Sequence, residues 1–332
     1  MSSVKKVFVL FCVFFAGYLL AAVDMSANSG SQYRIISGTN VRVRDIPETK
    51  GNIVSELALG VLVKVTETAS AEEKIGGLTG RWYKVEYGVD GIPKGTGWIF
   101  GAYSLEYDKD QKSRIGLSII EKNLSKASQK PDELGQLLRF AERVPPGTDP
   151  EVSLPLKMSY LKALQQYLLY SGTNTDEKVK SDPFLKNAAS MIVFSEPAGA
   201  FFVKPECFWE LYEKSAKLKC AEKIARGASE ALIPGESEGY MPAVFSRMVY
   251  SKIRYLQAFP KGEHSKKIVD EIYEHLKNLI TYFKEDAAKL PAEDLPELKT
   301  NIKKVRDALS ASDSPRKTDT IKQLDQISGM IK

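Results

Sequence analysis

Two hydrophobic rhythms divide the chain. From Tyr33 to Tyr107 apolar residues alternate with polar ones around Val41 and Val43, around Leu62, Val63 and Val65, and around Tyr83 and Val85, and Gly and Pro separate the runs. A period of two is that of half-buried strands, so residues 33–107 are expected to form a small antiparallel barrel. Asp45 to Gly51 reads as a loop, because Pro47 removes a backbone donor and Gly51 permits the turn back. Ala69 to Gly80, with Gly76, Gly77 and Gly80, reads as a polar insertion, and Tyr87 to Thr96 as the hairpin between the last two strands. Val41, Val43, Leu57, Val63, Val65, Tyr83 and Val85 are the expected core. Each would contribute roughly 1.5 to 3 kcal/mol if fully buried.

Beyond Tyr107 the rhythm changes to three and four, as in Ile115, Ile119, Ile120 and Leu124, after a charged linker from Asp108 to Lys112. Residues 113–332 are therefore expected to be all-α. Helices are predicted at about 113–128, 131–143, 151–170, 182–194, 205–232 with a break, 239–259, 262–289, 293–310 and 314–331, bounded by prolines from Pro131 to Pro315. Helices of this length suggest stacked helical hairpins. Lys157 to Gly172 can be laid on Arg247 to Gly262 without a gap, a faint internal repeat. Tyr255 to Ser265 resembles the inter-helix turn of tetratricopeptide-like envelope proteins, although no period near thirty-four residues persists along the domain. A tetratricopeptide-like array and an irregular helical bundle both remain open.

Asn40-Val41-Arg42-Val43-Arg44-Asp45-Ile46-Pro47, then Trp82-Tyr83-Lys84-Val85, then Gly97-Trp98-Ile99-Phe100 form a spaced set. The set resembles the bacterial SH3 (SH3b) family. The resemblance implies an SH3-like β-barrel and a cell-envelope binding module in place of an enzyme. It also implies that a ligand would sit near the loop of Arg44, Asp45 and Glu48 and the late aromatic segment Trp98, Phe100 and Tyr103. There Arg44 and Asp45 would orient polar groups and the aromatics would cover apolar surface; the alternative is that these residues only fix the loop. For Trp82 and Trp98 the family pattern favours a place in the sheet core, and a ligand role stays open for either.

The N-terminus suggests a compartment. Lys5 and Lys6 precede an uncharged apolar run from Val7 to Val23, closed by Ala21, Ala22 and then Asp24, the layout of a secretory signal. Residues 1–22 are expected to be that signal, with an uncleaved anchor as the alternative, and residues 23–32 a flexible tether. The protein is thus expected to be exported, to the periplasm or cell envelope, and to meet a membrane only through this segment. The formal net charge of +5 comes from 47 basic and 42 acidic residues, too balanced for a dedicated nucleic-acid protein.

Candidate chemistry is sparse. Cys207 and Cys220 remain after the leader, either as one disulfide, which needs a turn near Ser215 to Lys217, or as two small buried thiols. Cys207 in Pro205-Glu206-Cys207-Phe208-Trp209 lacks the surroundings of a wall peptidase nucleophile. His264 and His275, about 16 Å apart on one predicted helix, cannot share a zinc ion. Gly235-Glu236-Ser237-Glu238-Gly239 spells a nucleophile elbow but follows Pro234 between helices. No cofactor is expected. Phe201-Phe202-Val203, between Gly199 and Pro205, is the one loop whose exposure would mark a partner site.

These readings point to an exported, non-enzymatic binding or scaffold protein, its barrel taking cell-wall peptide or another extracytoplasmic ligand and its helical domain a protein partner. Peptidoglycan or an envelope protein is the expected partner. The alternatives are a wall hydrolase of unfamiliar helical type targeted by the barrel, and a barrel that is purely structural, packed on the helices.

Overall fold

The structure, a computed structural model, describes residues 32–88, 94–126, 130–237, 239–286 and 290–331. The expected signal, most of the tether and the tip of the 87–96 hairpin lie outside the described residues. No described helix is long and apolar enough to cross a membrane.

The architecture is α+β. Strands β1 (Tyr33–Ile36), β2 (Val41–Arg44), β3 (Ile53–Leu57), β4 (Leu62–Ile75), β5 (Leu78–Tyr87), β6 (Gly95–Phe100) and β7 (Ser104–Glu106) form one antiparallel sheet in the order β3-β2-β6-β5-β4-β1-β7. The sheet curls into a half-barrel whose end strands, β3 and β7, are not paired to each other. Alternation fills its inside: Ile36, Val41, Val43, Leu57, Val63, Val85 and Ile99 are buried together, with Val65 and Tyr83 packed at the margin. Gly97 is needed there, since a Cβ at that position would stand 2.5 Å from Val43 Cγ1.

The stretch expected to be a polar insertion is strand. β4 and β5 run on past the barrel as a long arm, paired from Glu72↔Arg81 to Ile75↔Leu78, and the bulge between Thr68 and Glu72 bends it. Gly76 and Gly77, both at positive φ, form its tip. Polar side chains disguise the arm because its outer face is solvated; Ala69 and Ile75 are the residues that pack inward.

The helical part contains α1 (Lys112–Leu124), α2 (Pro131–Arg143), α3 (Pro150–Tyr170), α4 (Asp176–Ser181), α5 (Pro205–Ser215), α6 (Ala221–Ser229), α7 (Met241–Met248), α8 (Arg254–Ala258), α9 (Ser265–Asp286), α10 (Leu295–Ala311) and α11 (Lys317–Met330). A π turn, Val249–Ile253, joins α7 to α8, so the second of the two overlaid segments falls on a helix with one residue in excess, whereas the first follows α3 to its end at Tyr170 with no such turn. Asp108 caps a 3-10 turn that runs straight into α1, so the charged linker is part of the fold.

The helical domain is not all-α. Where a helix was expected at 182–194, Asp182 accepts the Phe184 N–H (2.8 Å) and the Tyr167 hydroxyl (2.7 Å), which spends it on a turn. Strands β8 (Ile192–Ser195) and β9 (Ala200–Val203) follow as a hairpin. The β-branched and aromatic run Ile192-Val193-Phe194 and the turn at Gly199 favour strands, although Leu185 and Ala188 imitate a helical spacing.

Two hydrophobic cores divide the helices. One gathers α1, α2, α3, α5 and part of α6; the other gathers α7 to α11. The first core also contains Ile35 and Leu59 of the sheet, with Leu62, Leu105 and Tyr107 against it. Because Ile35 faces Leu62 on one side and Leu105 on the other, one row of the sheet's outer surface is buried on the helices. At its end Gly60 (φ +84) lies under the Phe140 ring, where a Cβ would come within 2.2 Å of Cδ2. Beside it Gln136 accepts the Leu59 N–H (3.4 Å) and donates to Asn40 Oδ1 (2.8 Å), and Asn123 donates to the Ser37 carbonyl (3.0 Å).

The two helical cores are tied by alternating charges. Lys162 meets Glu230 (3.1 Å), Glu230 meets Arg226 (2.8 Å), Arg226 meets Glu271 (3.1 Å) and Glu271 meets Lys252 (2.9 Å). Arg226 is buried, so its partners are what make that burial tolerable.

Gly60→Ala and Gly77→Ala share φ +84, but only Gly60 faces an obstacle. Urea unfolding should show a loss of about 1 kcal/mol for Gly77→Ala from backbone strain and about 3 kcal/mol for Gly60→Ala, where a clash is added. Burial pushes the Glu271 carboxyl up, but the hydrogen bonds and charges of Lys252 and Arg226 outweigh it and hold it below the ordinary value of 4.5. Its stabilisation is therefore whole above about pH 4.5 and fades as the pH falls through the lowered value. Melting temperatures of Glu271→Gln should show less of this acid-induced loss than the parent; parallel curves would remove Glu271 from the cause.

Candidate functional site

The sequence-predicted ligand residues separate into three groups. Trp98 and Phe100 are buried, 8% and 4% exposed, in a small cluster with Trp82 on the face of the sheet opposite the barrel interior. Trp82 lies across from Phe100 in the register, and their ring centroids are 5.6 Å apart. The arm covers this cluster, and Glu73 on it accepts the Trp82 indole N–H at 3.0 Å. Trp98 and Phe100 are therefore spent on holding the arm and present no open aromatic face. Tyr103 is half-buried and touches Phe100 edge-on, 6.1 Å between centroids.

Arg44 and Asp45 serve the loop. The Arg44 guanidinium donates to the Gly51 carbonyl, and Asp45 accepts from Asn52 Nδ2 at 2.8 Å, which keeps its carboxyl below the usual range. Glu48 is exposed at the tip of that loop. Strand pairing sets Arg44 across from Trp98, so the two sets are neighbours, yet they line none of the described cavities.

The sheet offers a different concavity. A groove of about 640 Å³ runs between β1, β7 and the root of the arm, lined by Arg34, Tyr83, Glu106, Arg81, Glu72 and Thr68 among others. The Arg34 guanidinium lies 4.5 Å from the centre of the Tyr83 ring and donates to Ser104 Oγ (2.8 Å) and to the Ser104 carbonyl (3.1 Å). That leaves Nη1 towards Glu106, 3.9 Å away. Arg81 and Glu72 face each other across the arm at 3.6 Å, both well exposed. The result is a mainly polar groove, with the Tyr83 ring beneath a fixed cation at one side and paired charges of both signs along the rim. Such a surface suits an extended chain that alternates carboxylate and ammonium groups.

Two features hid this groove from sequence reasoning. Arg34 and Arg81 stand outside the family-like motif, and Glu72 belongs to the stretch that reads as insertion. The signal available was Tyr83, whose alternation with Trp82 and Val85 already placed it on the inner face.

The remaining candidates are placed as follows. Phe201 is buried and belongs to the first helical core, and Phe202 is half-buried, because both lie on β9 and alternate. The exposed aromatic of that hairpin is Phe194, on β8. Cys207 and Cys220 are free thiols. Cys207 is on the first turn of α5, about 12 Å of helix before the chain turns at Ser215, and Cys220 follows the turn to begin α6. Burial raises the Cys207 thiol, and burial together with the Glu151 carboxylate pushes Cys220 up to about 11, so neither is a ready nucleophile at neutral pH. Glu151 accepts the main-chain N–H groups of Lys219 (2.8 Å) and Cys220 (2.9 Å), fastening α3 to the start of α6. Among the described residues no three His, Cys, Asp or Glu side chains converge as a metal site requires.

No family model, no curated protein and no solved structure gives a significant match to this chain.

The burial of Trp98 and Phe100 sets a direct test. Trp98→Ala and Phe100→Ala should each cost about 3 to 5 kcal/mol in urea unfolding, as truncation of a packed ring does. Loss of less than about 1 kcal/mol would mean that these rings are free to meet a ligand after all.

Proposed function

We propose that this chain is an exported, non-enzymatic binding and scaffold protein of the cell envelope, whose SH3b-like half-barrel takes a charged extended peptide of the cell-wall kind. The helical domain, irregular more than tetratricopeptide-like, acts as the rigid base and carries a protein partner. The observation that supports this most is the groove over Tyr83, with Arg34 held in place by Ser104 and the Glu72–Arg81 pair on the rim. Its carboxylates each stand against an arginine, which suits recognition of alternating charge more than acid–base cleavage.

A second reading, in which the sheet is purely structural, draws on the joint at Gly60, Phe140 and Gln136. The two readings part on whether the open face binds. Sedimentation of the purified chain with isolated peptidoglycan sacculi separates them. On the first reading the chain co-sediments, and Arg81→Glu, at an exposed position, weakens retention about tenfold, while setting two carboxylates across from each other on the arm costs the fold no more than about 1 kcal/mol. Absence of co-sedimentation, or retention indifferent to Arg81→Glu, would leave the structural reading.

A further inference from the structure

We propose that the sheet groove holds its ligand by a carboxylate that takes the place Glu106 now has at Arg34, so that Glu106 is an internal competitor for the site. The inference rests on the reading of this groove as a peptide site, and adds both the group that is recognised and the residue that opposes it.

Among the described residues, four charged side chains line the groove: Arg34, Glu72, Arg81 and Glu106. Arg34 is the one built into the wall. Its side chain is 13% exposed, against 48% for Arg81 and 60% for Glu72 on the rim. Nε and Nη2 donate to Ser104, and Ser104 Oγ in turn donates to the Gly101 carbonyl at 3.1 Å, which makes the anchor part of the turn into β7. The Tyr83 ring covers one face of the guanidinium. A cation fixed in this way cannot follow an anion into solvent, so the anion has to come to it.

Nη1 is where it arrives. Glu106 stands opposite Arg34 in the register of β1 and β7, and its carboxylate approaches Nη1 to 3.9 Å. That distance is an ion pair longer than a hydrogen bond, and the Glu106 side chain is 69% exposed, so the contact is weak. Because an exposed side chain reaches Nη1, the nitrogen is approachable from the groove, and the group that reaches it is a carboxylate. A ligand carboxylate at hydrogen-bond distance would gain the charge-assisted bond that Glu106 does not make. Rotation of the Glu106 side chain is enough to vacate the position.

The test is an NMR titration of the full chain with N-acetyl-diglycine and with its C-terminal amide, two probes that differ in one carboxylate. The acid should bind saturably, with a dissociation constant in the millimolar range, and shift the Arg34 Nε–H signal; the amide should bind at least fivefold more weakly. Glu106→Gln removes the competing charge at an exposed position and should tighten the acid about two- to fivefold while leaving the amide as it was. Arg34→Lys keeps a charge but loses the planar fork, and should weaken the acid about fivefold or more. Equal binding of acid and amide, or the absence of saturable shifts, would overturn the proposal. So would an acid affinity that Glu106→Gln leaves unchanged or lowers, since Glu106 would then serve only the strand pair. Sedimentation with sacculi is a separate readout: a chain that stays in solution yet binds the acid in this manner loses the wall ligand and keeps the carboxylate site.

Discussion

The contact on which the rest of the structure depends is the approach of the Gly60 backbone to the Phe140 ring. It is close enough that only glycine fits, and it occurs where a turn between β3 and β4 needs positive φ. Around it Gln136 bridges Leu59 and Asn40, so a ring and one amide register the sheet on α2. With that register set, Ile35, Leu62 and Leu105 come down on the first helical core, and the sheet needs no second sheet to cover its outer row. The half-barrel stays open at β3 and β7 because a helix layer already does the covering.

A rigid base changes what the two faces of the sheet can do. One outer row is given to the helices and the neighbouring patch, with its two tryptophans, to the arm. What remains accessible is the inner margin near Arg34 and Tyr83, where Ser104 fixes the cation and Tyr83 forms the floor. Preorganised charge on a rigid element loses little entropy on binding, which favours selectivity over reach. The helices contribute stiffness of their own kind: the charge chain from Lys162 to Lys252 crosses from one core to the other through a buried arginine.

Much of this was legible in the sequence. Period-two alternation around Val41, Val43 and Val85 located the sheet and its inner core, and the prolines and three-four spacing located most helices to within a few residues. Failures came where one residue type serves two structures. Leu185, Ala188 and Ile192 keep a helical spacing, yet Asp182 is consumed in a turn and the β-branched run after it pairs as a hairpin. Glu72 looks like a loop residue because the arm is solvated on its side, and Glu73 looks like one although its carboxylate is turned to the Trp82 indole. The aromatic residues Trp98 and Phe100 carry no mark of which side of a sheet will be covered, and only the distant arm decides that.

The π turn at Val249–Ile253 bears on how this chain can vary. Buried positions run Met241, Val244, Phe245 and Met248 before it and Ile253 and Leu256 after it, so the apolar stripe jumps by five residues once and then resumes. A π turn of this sort is one residue inserted into an otherwise regular helix. Shortening a helix by one residue ordinarily rotates everything beyond by about 100° and turns a core inside out. Here the same deletion would restore an even stripe, which makes residues 249–253 a place inside a helix of the second core where the chain can shorten by a single codon and the packing on either side can survive.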